Sequence, residues 1–241
     1  MPSFYVNFTE HTVDLEVTGE EHHHIGNVFR QKAGNIIPLV NGKGLKAKGM
    51  IKDLNKKSLS LQLSDFVFVE RPMVRVACAF SLLRGRHDLM TVEKLTELGV
   101  VDLFPMQTKN SVKLSKDNTA DRMRKVAISA MKQCDNPWLA EVHGTQELKA
   151  VLCKIKDMDY MPLVASELRP EDTLVSKIVN WREATQVSRG ICVIIGPEGG
   201  FDSAEFALFE KNSIQQVSIS KNILRAETAA ICAVSQLMGY L

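Results

Sequence analysis

The stretch GICVIIGPEGGFDSAEF, Gly190 to Phe206, constrains the fold of this chain more than any other. An apolar run breaks into a Gly-Pro-Glu-Gly-Gly loop, and the chain restarts at FDSAEF. That order is strand, glycine loop, helix. The loop glycines admit positive φ and let a ligand lie against bare backbone. A second segment, ILRAETAA (Ile223 to Ala230), is a loop with one Arg and one Glu that feeds an Ala-rich helix. Both loops fall just after predicted strands, where open α/β sheets keep their ligand sites.

The same alternation runs back to Pro72. VRVACAF, VDLFPM, MPLVAS, GICVII and QVSIS read as strands. Helices are predicted after the first of them, ending at Gly99, and over Asn118 to Gln133, Asp202 to Asn212 and Glu227 to Tyr240. Asp202 with Glu205 fits a capping box. Met123, Val126, Ala127, Ala130 and Met131 form one apolar helical face. Strand and helix in alternation predict an α/β domain with a mostly parallel sheet. The first 70 residues differ. FYVNF, VDLEV, IIPLV, KGMI and the strictly alternating SLSLQL are short strands separated by turn-prone pieces, the pattern of a small β-barrel. The expected domains are 1–70 and 73–241.

Composition excludes several classes. The net charge of +2 on 241 residues does not by itself announce nucleic acid, and no apolar run approaches the roughly 20 residues that span a bilayer. MPSFYVNF has neither the basic start nor the apolar stretch of a secretion signal. The five cysteines include no Cys-x-x-Cys. Four sit in apolar sequence and read as reduced core thiols of a cytoplasmic protein. His22, His23 and His24 read as strand residues whose side chains alternate faces, so no metal site is expected.

Five separated motifs, in order and spacing, resemble one family: HIGNVFRQKAG (His24 to Gly34), EKLTELGV (Glu93 to Val100), AMKQC (Ala130 to Cys134), IGPEGGF (Ile195 to Phe201) and ILRAETAA. Together they look like the bacterial 16S ribosomal RNA uracil-N3 methyltransferases, which modify uracil-1498, of the SPOUT class of knotted methyltransferases. The resemblance implies an N-terminal PUA-like β-barrel and a C-terminal α/β trefoil-knot domain. It also implies S-adenosylmethionine as cofactor, 16S rRNA in the 30S subunit as substrate, and a homodimer. The chain departs from the family pattern at His87, where Lys or Arg is usual, at Ser220, and in Lys132-Gln133-Cys134-Asp135-Asn136, which lacks an expected Arg.

The donor has no phosphate, so a glycine loop with free amides and carbonyls suits its adenine edge and ribose. Gly196, Pro197, Glu198, Gly199 and Gly200 are therefore the expected cofactor residues. The resemblance adds Ile219 and Leu224 as apolar walls, and Glu167 on the loop after MPLVAS. Glu198 has a second reading, a carboxylate that holds its own loop through backbone amides. Uracil N3 is a poor nucleophile until its proton leaves. Negative charge then spreads to O2 and O4, where a cation stabilises it. Arg225 is the candidate for that role, with Glu227 either orienting Arg225 or favouring the start of the last helix. No general base stands out, and His87 reads as a surface or RNA-facing residue. Basic clusters at Asn41–Lys57 and Lys109–Lys132, with Arg30 from the first motif, are the candidate RNA contacts. Arg30, Lys109, Arg122 and Lys132 are the named residues.

Overall fold

A computed structural model describes residues 2–168, 171–183 and 188–241. The chain forms two compact units, one of Met1–Arg71 with Ile128–Leu139, the other of Pro72–Ala127 with Ala140–Leu241. No helix among the described residues is long and apolar enough to cross a membrane.

The first unit holds β1 (Phe4–Tyr5), β2 (Asp14–Thr18), a short helix α1 (Gly19–His23) continued by a π-turn at His24–Val28, β3 (Ile36–Val40), β4 (Leu45–Leu54) and β5 (Ser58–Phe68). The sheet order is β1-β3-β4-β5-β2, with β1 parallel to β3 and the other pairs antiparallel. In β5 the alternation seen in sequence becomes burial, with Leu59, Leu61 and Leu63 inside. KGMI is only the middle of a ten-residue strand. Register shifts between Lys46 and Lys48 and between Ile51 and Asp53 bend β4, so the sheet curls around Phe4, Ile25, Ile37, Leu39 and Leu61. β1 and β2 remain its edges.

The three adjacent histidines are helical, not extended. Thr18 and Gly19 close the strand before them, and Glu20 and Glu21 favour the helix start. Their rings meet different partners: His22 Nε2 stands 2.9 Å from the Asn55 carbonyl, His23 Nδ1 2.8 Å from Asn27, and His24 Nδ1 3.1 Å from Lys132 Nζ.

The second unit holds β6 (Arg75–Ser81), α2 (His87–Glu97), β7 (Asp102–Gln107), β8 (Glu141–Val142), β9 (Gln146–Glu147), α4 (Leu148–Asp157), β10 (Tyr160–Ala165), α5 (Leu174–Glu183), β11 (Gly190–Ile195), α6 (Ser203–Lys211), β12 (Gln215–Val217) and α7 (Ala226–Tyr240). Helix α3 (Thr119–Gln133) lies before β8 in the chain. The strands run β12-β10-β11-β6-β7-β8, all parallel, and β9 also pairs with β7. Every residue of β11 is buried, as expected of a parallel strand covered on both faces. One face packs Ala77, Phe104, Cys192 and Ile194 against Val151 and Ile155 of α4 and Phe209 of α6. On the other, α7 lies against β6 and β11 and meets α2 and α5.

Gly190 is dictated by close approach. A Cβ there would stand 2.1 Å from the Arg75 carbonyl oxygen. At the same end of the sheet Asp102 is buried, accepting from Tyr160 Oη and standing 2.8 Å from His143 Nε2. His143 stacks on Phe104, and the Arg75 guanidinium sits 4.8 Å over the Tyr160 ring.

The cysteine reading is corrected here. Cys78 and Cys192 are buried, Cys134 and Cys153 are exposed, and Cys232 is intermediate. Cys153 lies on the outer side of α4, whose buried face is Leu148, Val151, Leu152 and Ile155.

Candidate active site

A cavity of about 740 Å³ opens at the carboxyl ends of the central strands of the second unit. It is built from the segments after β10 (Ala165–Glu167), after β11 (Ile195–Phe201) and after β12 (Ser218 into the first turn of α7), with Arg84 and His87 from the turn after β6. Neighbouring parallel strands whose connections leave at this end produce such a crevice, the usual ligand position of an open α/β sheet.

Local chemistry shapes each wall. After β11 the chain turns at once, with the Gly200 amide bonded to the Pro197 carbonyl at 2.9 Å and Gly200 at φ +68°. α6 then starts on the expected capping box: Asp202 accepts from the Glu205 amide, and Glu205 accepts from the Asp202 amide. The loop after β7 buttresses the glycines. Asn110 Nδ2 donates to the carbonyls of Gly199 and Gly200, at 3.2 and 3.1 Å, and the Lys109 amide donates to Glu205. Glu198 accepts from the Arg84 amide at 3.0 Å, so its carboxylate ties the glycine loop to the turn after β6.

The segment after β12 is held from two sides. The Ser166 amide donates to the Val217 carbonyl, the Ser218 amide to the Asp172 carbonyl and the Leu174 amide to the Ser218 carbonyl. Gln236 of α7 donates to the Ile219 carbonyl. The start of this segment is therefore hydrogen-bonded both to the end of β10 and to the residues that open α5.

All eight residues expected at a cofactor line this cavity: Glu167, Gly196, Pro197, Glu198, Gly199, Gly200, Ile219 and Leu224. Arg225 and Glu227 line it as well. Arg225 is the extended N-cap of α7, exposed, and its guanidinium has no ion-pair partner among the described residues. Glu227 does not orient Arg225. It is 8% exposed, and its Oε1 stands 3.3 Å from His87 Nδ1. Two residues into a helix, its side chain leaves on the face towards α2. His87 is thus a cavity residue and not merely a surface one. Arg84 and Asn110 had no sequence signal, because each reaches the site by folding over from another strand's loop.

The RNA candidates divide. Arg30 is exposed in the first unit at φ +51°, and Lys109 and Arg122 are exposed in the second. Lys132 is not available. Its side chain is 12% exposed, and its ammonium lies 2.8 Å from Glu21 Oε2. Within the other cluster, Lys46 pairs with Asp135 and Lys48 with Asp65. Among the described residues no group of three His, Cys, Asp or Glu side chains is arranged to hold a metal ion.

The lining combines glycines and apolar residues with three carboxylates, two arginines, His87 and Lys221, and no Walker-type Lys-Ser/Thr follows the glycine loop. Such walls fit a neutral heterocycle and ribose better than a nucleotide phosphate. A Cβ on Gly200 would come within 2.8 Å of Glu167 Oε1, and one on Gly196 within 3.0 Å of the Phe201 ring. The loop is therefore packed tightly behind the surface it presents.

Comparison with known proteins agrees with this architecture. Residues 17–64 match the RNA methyltransferase PUA domain. The "Ribosomal RNA small subunit methyltransferase E" of Bacillus subtilis is 27% identical over 247 residues, covering 98% of this chain and 95% of that one. Its Rickettsia conorii namesake is 26% identical over 92% of this chain and 88% of that one. A crystal structure of a ribosomal RNA small subunit methyltransferase E from Neisseria gonorrhoeae, bound to S-adenosyl methionine, shares the fold with TM-score 0.85 at 22% identity, covering 99% of this chain and 97% of that one. Residues 69–238, which carry the whole cavity, match the RNA methyltransferase domain, and the chain belongs to that family.

Proposed function

We propose that this protein methylates N3 of the uridine equivalent to uracil-1498 of 16S rRNA in the small ribosomal subunit, with S-adenosylmethionine as donor. The observation that carries this reading is the convergence of the glycine loop, the Ser218–Leu224 segment and Arg225 on one cavity. The full-length likeness to two small-subunit rRNA methyltransferases supports the choice of RNA.

In this reading the donor supplies an electrophilic methyl group on a sulfonium. The main chain of Gly196–Gly200 and Ser218–Leu224 holds its adenine and ribose, with Ile219 and Leu224 as apolar walls. Glu167 and Glu198 supply negative charge to the cavity wall. Arg225 faces the uracil oxygens, and its exposed guanidinium, with the N-terminus of α7 behind it, stabilises the anion that forms as N3 loses its proton. Alignment of N3 with the methyl carbon supplies much of the acceleration. Exposed Arg30, Lys109 and Arg122 neutralise phosphates.

The trefoil knot, the homodimer and a cytoplasmic location belong to the same reading. The outgoing chain, bonded at Val217 to Ser166 and at Ser218 to Asp172 and Leu174, supports the knot.

The test is transfer of labelled methyl from S-adenosylmethionine to 30S subunits lacking the modification, with mass mapping of the nucleotide. Label at N3 of that uridine is expected. Cofactor binding with no label would overturn the substrate, and loss of neither binding nor transfer in Arg225→Ala would remove that residue from the chemistry.

A further inference from the structure

The unassigned part of this reaction is the acceptor for the N3 proton. We propose that His87 is that acceptor, with Glu227 as the residue that positions it; the inference rests on the uracil-N3 reading above.

Three observations converge. First, His87 lines the cavity at the N-terminus of α2, its side chain 46% exposed, while its partner Glu227 is 11% exposed. One ring nitrogen, Nδ1, faces the carboxylate at 3.3 Å. A carboxylate there favours the proton on Nδ1, which leaves Nε2 with a free lone pair. Second, the backbone at His87 is tied to the glycine loop through Arg84. The His87 amide donates to the Arg84 carbonyl at 3.2 Å, and the Arg84 amide donates to Glu198 in the glycine loop. The base and the methyl donor's cradle are therefore parts of one connected turn. Third, Arg225 and Glu227 sit at the first turn of α7, two positions apart, so the residue facing the uracil oxygens and the residue behind the base are fixed by one helix start.

The balance of the step is complete. The N3 proton goes to His87 Nε2. The pair left on N3 forms the new bond to the methyl carbon, and the carbon–sulfur bond breaks with its pair going to sulfur. The positive charge begins on sulfur and ends on the imidazolium, beside the Glu227 carboxylate. The half-exposed ring then returns its proton to solvent. Other charged groups lie near the ring. Arg84 and Arg86 precede it in the chain, Asp88 follows it and is paired with Lys113, Glu227 faces it from α7, and Glu198 and Arg225 line the same cavity.

The experiment compares His87→Gln and Glu227→Gln with the parent protein. A positioned base contributes about 100-fold or more. His87→Gln is expected to lower the single-turnover rate by about that factor. S-adenosylmethionine affinity by calorimetry stays unchanged, and the remaining rate climbs with pH as the uracil ionises unaided. Glu227→Gln loses about tenfold. Independently of activity, nitrogen NMR of the His87 ring in the protein alone reads the tautomer. Nδ1–H is expected in the parent and a loss of that preference in Glu227→Gln. A His87→Gln rate within threefold of the parent, or a parent ring with its proton on Nε2, overturns the proposal. Absence of transfer by the parent overturns the substrate reading, and the tautomer still decides the pair.

Discussion

Asp102→Ala should cost about 2–5 kcal/mol of unfolding free energy, roughly what stranding two hydrogen-bond donors costs together. The figure follows from what the substitution leaves behind. Asp102 is 4% exposed and receives Tyr160 Oη, itself 3% exposed at the residue level, and His143 Nε2 at 2.8 Å. Alanine removes the acceptor that Tyr160 and His143 share, and each donor stranded away from water costs about 1–3 kcal/mol. Asp102→Asn keeps one carbonyl for Tyr160, and a neutral His143 can change tautomer, so about 1–2 kcal/mol is expected. The pH dependence has a definite sign. Burial pushes the Asp102 carboxyl up, and the hydrogen bonds from His143 and Tyr160 with the nearby Arg75 charge outweigh it, so the folded value lies below the ordinary 3.8. Its contribution is therefore complete above the unfolded value and is lost as pH falls through the folded one. Urea unfolding of the three proteins at pH 7 and at steps below pH 4 measures both effects. A pH 7 stability of Asp102→Ala within 1 kcal/mol of the parent would refute the reasoning. So would an Asp102→Asn deficit that fails to shrink in acid.

Gly190→Ala places a Cβ 2.1 Å from a backbone oxygen of the neighbouring strand. Because neither strand can yield alone, we expect a loss of about 3 kcal/mol or more by thermal unfolding. Lys132→Ala should lower stability and leave the salt dependence of RNA binding unchanged, because its ammonium pairs with Glu21. Lys109→Ala and Arg122→Ala should each reduce the logarithmic salt slope by about 1; filter binding across a salt series separates the two classes. Thiol titration of the native protein should find Cys134 and Cys153 fast. Cys78 and Cys192, buried and with their thiols pushed well up by that burial, should react only after unfolding.

Local rules made much of this fold legible. The capping box at Asp202 and Glu205 lies within four residues, and the β5 alternation and the apolar β6 and β11 are contiguous. Two-residue β8 and β9 carry no period to detect. α4 did carry one, at Leu148, Val151, Leu152 and Ile155, which is a helical face. The site was legible where a single loop makes it, as at Gly196–Gly200. It was opaque where two distant segments meet. Glu227 has its partner on α2, and Glu21 reaches Lys132 across 111 positions. Charge counted along the chain marks Lys132 as an RNA contact; only the folded neighbourhood shows its ammonium already neutralised.

At Gly196, Gly199 and Gly200 the cavity lining has no side chain, only amides and carbonyls, and this bears on escape from inhibition. A compound that copies those amide and carbonyl contacts addresses groups that no codon change deletes. Added bulk is the remaining route to resistance, and at Gly196 and Gly200 it runs into Phe201 and Glu167. Compounds that lean instead on Arg225 or His87 can be defeated by one substitution, though the catalysis proposed for those two side chains would suffer with it.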